Sequence, residues 1–242
     1  MSPFGDVDEV QAQRDLVRPL LAPSDPVDAM TAYYALLHDP RRTHLTLHRT
    51  SAGNVLGFVA VCQTGRDLFV PLVVLRAASL HLPVLLPKAL SQARPYTLVT
   101  LPKLRTAIAH VMVLEQEQIN RIYVFDPNRY RPSINVMVQP GRGQFRYEIR
   151  VRDQVVAAAG VNWQSAKFAD VYVTTSPEFQ GRGWGKAVGS ACIRDLLGEG
   201  LLPLFTVSEQ NTVAQRLAES LGFRDAGARE LECRGKLKQR AG

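Results

Sequence analysis

Residues 173–186 read V-T-T-S-P-E-F-Q-G-R-G-W-G-K, with glycines at 181, 183 and 185 and cations at Arg182 and Lys186. An apolar run, FADVYVTT at 168–175, precedes the glycines and reads as a central strand. A helix follows, because Val188, Ala191, Cys192 and Leu196 recur on one face. Glycines at a strand–helix junction let the backbone turn tightly and aim several N–H groups into one concavity. The helix start adds unsatisfied donors and about half a positive charge. Together these make an anion site suited to a phosphate or pyrophosphate, to which Arg182 and Lys186 add charge. Two nucleotide motifs fail on detail. A P-loop requires Ser or Thr after Gly185-Lys186, where Ala187 stands, and the dinucleotide fingerprint requires a longer step to its third glycine. Taken alone, the glycines also admit a plain structural turn.

Downstream, LPLFTV at 202–207 reads as a strand and is followed by N211-T212-V213-A214-Q215-R216-L217-A218-E219-S220-L221-G222-F223. Asn211 suits an N-cap, and Ala214, Leu217, Ala218 and Leu221 form one helix face. Gly222 suits the left-handed residue that ends a helix. Gln180, Gly183 and Gly185 fit the pyrophosphate motif [Q/R]-x-x-G-x-[G/A], while Asn211, Ala214 and Leu221-Gly222-Phe223 fit a later N-x-x-A…LGF pattern. In both respects residues 145–235 resemble the GNAT superfamily of acyl-CoA-dependent N-acetyltransferases. The run at 173–183 is most similar to the branch that includes glycine N-acyltransferase-like proteins.

The resemblance implies acetyl-CoA as co-substrate and transfer of its acyl group to a primary amine, borne by a small molecule or a peptide. It implies that the backbone of Val173, Thr174 and Thr175 pairs with the pantetheine arm. Gln180, Gly181, Arg182, Gly183, Trp184, Gly185 and Lys186 would form the pyrophosphate turn, and Asn211 would lie near the sulfur end. It also points to Asp170 as the general base. By strand alternation Asp170 shares a face with Tyr172 and Thr174, and the competing reading is an acid at the exposed start of the strand. Glu209 is a second candidate base, with a solvated loop acid as its alternative. Many relatives place a tyrosine general acid seven residues after the asparagine. Here that position is Ala218, which leaves the acid unassigned between Ser208, Ser220 and none at all. A thiol has an ordinary pKa near 8.5, so its thiolate leaves with limited help. The missing tyrosine also motivates a second reading, a CoA-binding sensor or scaffold without turnover.

Outward from this region the chain has 242 residues, of which 46% are hydrophobic and 21% charged, a globular mixture able to bury a core. The order hairpin, strand, helix, strand, helix, strand is read twice, once over 45–125 and again from 145 onward, without a repeated residue motif. Between them 126–143 is rich in proline and glycine, although INVMV at 134–138 has strand character. The expectation is an α/β (α+β) chain with a GNAT fold, a mixed central sheet flanked by helices. Residues 1–135 would be a degenerate GNAT-like copy and 136–242 the acetyl-CoA-binding domain. Ahead of the first hairpin, Leu16, Val17, Leu20 and Leu21 and then 27–37 read as two helices.

The net charge of +7 is spread over both halves. Its local enrichments, Arg129, Arg131, Arg142, Arg146, Arg150 and Arg152 and the tail Arg234, Lys236, Lys238, Arg240, read as a solvated surface rather than a nucleic-acid stripe. No apolar run reaches the length of a membrane span, and the acidic start MSPFGDVDEV lacks signal-peptide layout. Cys62, Cys192 and Cys233 are too far apart for a zinc motif, and five histidines in the first half show no ligand spacing. No metal, nucleic acid or membrane is expected, and a cytoplasmic setting fits. Cys192 reads as core, and Trp184 as a residue that caps the turn or packs beside the cofactor.

Overall fold

The computed structural model describes residues 7–65 and 67–239. The first six residues of the acidic start, Arg66 and Arg240 of the basic tail lie outside the described residues. The chain forms two compact units, one made of 1–120 with 229–242 and the other of 121–228. The boundary read from the sequence, 135/136, falls inside the second unit. The proline- and glycine-rich stretch suggested it, but the chain passes between units within strands instead.

The first unit begins with α1 (Val7–Val17) and α2 (Pro26–Ala32). Asp25 caps α2 by accepting from the Val27 N–H, with Pro26 in the first turn where no N–H is needed. Next come β1 (Thr43–Arg49), β2 (Val55–Cys62), β3 (Leu72–Ala77), α3 (Leu82–Ala89), β4 (Tyr96–Thr100), α4 (Arg105–Val111) and β5 (Met112–Phe125). Strands β1, β2 and β3 are antiparallel neighbours, while β4 runs parallel to β3. Alternation sends Val59, Val61, Val73 and Leu75 into a core with Leu82, Leu85, Leu86 and Ile108 of the two later helices. The alternate residues face the earlier helices. Cys62 Sγ lies 3.6 Å from the Tyr34 carbonyl, and Arg76 pairs with Asp28 at 2.8 Å. Buried Arg14 donates to the Ala35 and His38 carbonyls.

The second unit contains β6 (Gln139–Pro140), β7 (Tyr147–Val151), β8 (Gln154–Gln164), β9 (Phe168–Thr175), α5 (Trp184–Gly198), β10 (Leu202–Ser208) and α6 (Thr212–Ser220). Strand β11 (Phe223–Leu237) starts here and ends in the first unit, whereas β5 starts in the first unit and ends here. Sheet order runs β5-β10-β9-β8-β7-β6 in this unit and β1-β2-β3-β4-β11 in the other. Arg152 and Asp153 make the β7–β8 turn with φ of 48° and 66°, the positive values a two-residue hairpin demands. Val171, Val188, Cys192, Leu196, Ala218 and Leu221 share one core, so both helices cover the same sheet face.

Two sequence expectations change. INVMV is not a strand, because Asn135 holds a turn, accepting Met137 N–H at its side chain and Val138 N–H at its carbonyl. Ile134 and Val136 are exposed. The sequence pattern predicts a helix over 104–114 and a strand over 119–125, whereas α4 ends at Val111 and β5 already begins at Met112. Among the described residues no helix is long and apolar enough to cross a membrane.

Candidate functional site

The parallel ladder between β9 and β10 has three pairs, Phe168↔Leu202, Ala169↔Pro203 and Asp170↔Leu204. Beyond Asp170 the two strands no longer pair, although β9 stays paired with β8 as far as Thr175. A strand that loses one neighbour presents backbone donors and acceptors along that edge. Val173, Thr174 and Thr175, expected to bind an amide-rich arm, lie on this stretch. Gln180 Nε2 donates to the Thr175 carbonyl at 3.3 Å, tying the following turn to the strand end.

The turn itself meets its sequence description. Gly181 and Gly183 both have φ of 76°, and Gly183 is the residue before the first turn of α5. No side chain caps that helix end, so its first N–H groups open onto the turn. Gly185 is needed for a different reason, since a Cβ there would stand 2.9 Å from Thr175 Oγ1. Trp184 stacks on Phe179 with centroids 5.2 Å apart and planes 17° apart. The Arg182 guanidinium lies over both rings, at 5.1 and 5.4 Å. Lys186 is half-buried on the first turn.

Asp170 sits where the ladder ends. It is 5% exposed, so the exposed-start alternative is set aside. Asn162 Nδ2 donates to one carboxylate oxygen at 2.8 Å and Thr206 Oγ1 to the other at 3.2 Å. Its face of the sheet, opposite α5 and α6, carries Tyr172, whose ring crosses Gly160 and whose hydroxyl accepts from Arg146 Nη1 at 2.7 Å. Arg146 and Arg150 also enclose the buried Glu148, at 2.6 and 3.0 Å. The hydrogen bond from Arg146 holds the Glu148 carboxyl below the ordinary glutamate range.

Other expected residues fall elsewhere. Asn211 uses its side chain to cap α6, accepting Ala214 N–H at 3.0 Å. Glu209 is not a plain solvated acid, because Arg121 pairs with it at 3.3 Å. Ala218 is fully buried, so no hydroxyl occupies the position where relatives place one. Ser220 Oγ donates back to the Leu217 carbonyl, and Ser208 Oγ accepts from Gln210 N–H. Cys192 is core, its thiol pushed up to about 12 by burial. Among the described residues no group of three His, Cys, Asp or Glu is placed to hold a metal. Asn162 and Thr206 were not singled out from the sequence. Thr206 follows from alternation once Asp170 is placed, whereas the register shift between Val161 and Trp163 that brings in Asn162 has no sequence mark.

An α/β unit with an interrupted parallel ladder, followed by a glycine turn at a helix start, has the layout of GNAT acetyltransferases. Residues 138–229 match the family model for GNAT acetyltransferase. Among solved structures, the chain is similar to a GCN5-related N-acetyltransferase from Kribbella flavida, at 14% identity and a TM-score of 0.62, covering 88% of this chain and 96% of that one. A Drosophila protein matches at 13% identity and 0.66, covering 97% of each. A tandem GNAT protein from the clavulanic acid biosynthesis pathway matches at 12% and 0.60, covering 98% and 97%. At such identities the shared property is the fold, and the tandem relative fits a layout of two repeats. No curated protein matches the sequence.

Proposed function

We propose that the second unit binds acetyl-CoA and transfers its acetyl group to a primary amine by direct attack in a ternary complex. The observation that carries this reading is the open edge of β9 leading into a turn with two left-handed glycines at the uncapped start of α5. The residues present fit such a co-substrate. Gly185 leaves the Thr175 side of the turn unobstructed, the α5 N–H groups and Lys186 suit phosphates, and Arg182 stands on its aromatic ledge beside them. When bound, acetyl-CoA supplies an activated thioester carbonyl.

The chain's own residues do the rest. The edge of β9 from Val173 to Thr175 orients the arm, and Asp170 accepts a proton from the amine, directly or through a water. Tyr172 and Arg146 wall the same face on the β7 side. The acceptor is a small-molecule amine or a peptide amine. The first unit is a degenerate copy of the fold without a cofactor turn. Thiol release from acetyl-CoA over a panel of small amines and short peptides tests the reading. Release that depends on the amine is the expected result. CoA binding without release from any amine favours the alternative, a sensor or scaffold, for which the fully buried Ala218 speaks.

A further inference from the structure

We infer that Asn162 and Thr206 are positioning residues that clasp the Asp170 carboxylate at the fork of β9 and β10, holding it aimed for proton transfer. The inference rests on the reading of Asp170 as the base. Three strands converge on this one side chain. From β8, the register shift between Val161 and Trp163 breaks the alternation, and Asn162 reaches the carboxylate at 2.8 Å. From β10, Thr206 lies two residues beyond Leu204, the last residue paired with β9, and its hydroxyl reaches back to the other oxygen at 3.2 Å.

One donor per oxygen, each from a different neighbouring strand, prevents rotation of the carboxylate without loss of a hydrogen bond. Both donors favour the charged form, against the opposing effect of burial. A carboxylate has about four lone-pair sites, more than Asn162 and Thr206 occupy. Thr206 spends its proton on Asp170, and the Thr206–Asp170 bond replaces the missing ladder at the point where the strands part. Other charged or titratable groups on this face are Tyr172 on β9 and Arg146, Glu148 and Arg150 on β7, which are bonded to one another. Glu209 at the end of β10 is paired with Arg121. Helix α5 packs on the other face.

The experiment follows the Asp170 carboxyl carbon by NMR in the full chain, its resonance identified by absence from Asp170→Asn. Thr206→Val and Asn162→Leu remove one donor each at similar size, and Thr206→Ser restores the hydroxyl. The titration midpoint of Asp170 should move to higher pH in each single variant and furthest in the double, with Thr206→Ser matching the wild type. In turnover, kcat should fall about tenfold per lost donor, while KM for acetyl-CoA stays unchanged. The acid limb of kcat/KM should move in the same direction as the resonance. An unmoved Asp170 titration in Thr206→Val, or a Thr206→Ser variant as impaired as Thr206→Val, overturns the inference. Failure of the wild type to bind CoA would instead defeat the acetyltransfer reading, and the carboxyl titration, which needs no ligand, separates the two.

Discussion

The two units repeat one design and differ where chemistry would act. In each, a strand is followed by a helix and then by a parallel strand whose ladder has only three pairs, Leu72↔Thr97 to Val74↔Val99 in the first and Phe168↔Leu202 to Asp170↔Leu204 in the second. The fork is therefore a property of the repeated fold. What stands at it is not repeated. At the last paired position the first unit has Val74, fully buried, and the second has Asp170. Two residues past the partner, the first unit has Leu101 and the second Thr206. Between strand and helix the first unit has Ala78-Ser79-Leu80-His81 with no glycine, and Pro83 removes an N–H donor from the first turn of α3. The second unit has Gly181 and Gly183 there, and Gly185 in the first turn of α5. Covering differs too. Helices α1 and α2 lie against the second sheet face of the first unit, whereas the second unit has, as helix before β7, only a 3-10 turn, Pro127–Arg129, among the described residues and keeps a polar face around Asp170, Tyr172 and Arg146.

The contrast is broken most severely at the fork. Asp170→Asn should lower kcat about 100-fold, the lower range for removing a general base, with CoA affinity retained. Steady-state kinetics beside calorimetry would show the split. In the first unit the reciprocal change, Val74→Asp, places a carboxylate among apolar neighbours with no clasp. It should destabilise by about 3 kcal/mol or more, read from urea unfolding. A well-tolerated Val74→Asp would mean that the first unit retains a polar fork.

How much of this was legible in the sequence depends on the range of the interaction. The glycine turn, the α5 face and the cap at Asn211 are local, set by spacing within one turn of chain. Each stood where the residues placed it. The fork was not visible, because a ladder that stops after three pairs leaves strand composition unchanged. Asn162 reaches Asp170 through a register shift, and Arg146 reaches Tyr172 across Gly160, and both depend on three strands lying side by side. The division into compact units differs from 135/136 for a similar reason. Glycine and proline at 126–143 marked flexibility of sequence, while the chain crosses between units inside β5 and β11. At 134–138, an apolar run rich in β-branched residues was outweighed by one asparagine bonding its own backbone.

Smaller effects are expected at the phosphate turn and at Glu148. Arg182→Met removes the cation from the Phe179–Trp184 ledge and should weaken CoA binding about tenfold, in the range of one cation–π contact with a phosphate charge added. Lys103→Met, beside the helix start of α4 in the first unit, should leave CoA affinity unchanged. The two values can be compared in one calorimetric series. The mildest test is acid stability. The Glu148 carboxyl is depressed by Arg146, so its contribution is fully present above the ordinary carboxyl range and is lost as pH falls through the folded value. Both tryptophans, Trp163 and Trp184, belong to the second unit, so their fluorescence follows that unit. Glu148→Gln should lower stability at neutral pH and flatten its decline in acid. An unchanged decline would show that other carboxylates control it.

Whether one unit or both bind the cofactor is read by titration calorimetry of CoA into the full chain. One CoA should bind per chain, with the binding heat abolished by Gly183→Glu. That substitution sets a side chain at φ 76° and a negative charge in the phosphate turn, a like-charge contact costing several kcal/mol, or about 100-fold in affinity. No binding heat in the wild type, two equivalents per chain, or full binding by Gly183→Glu would each contradict this expectation.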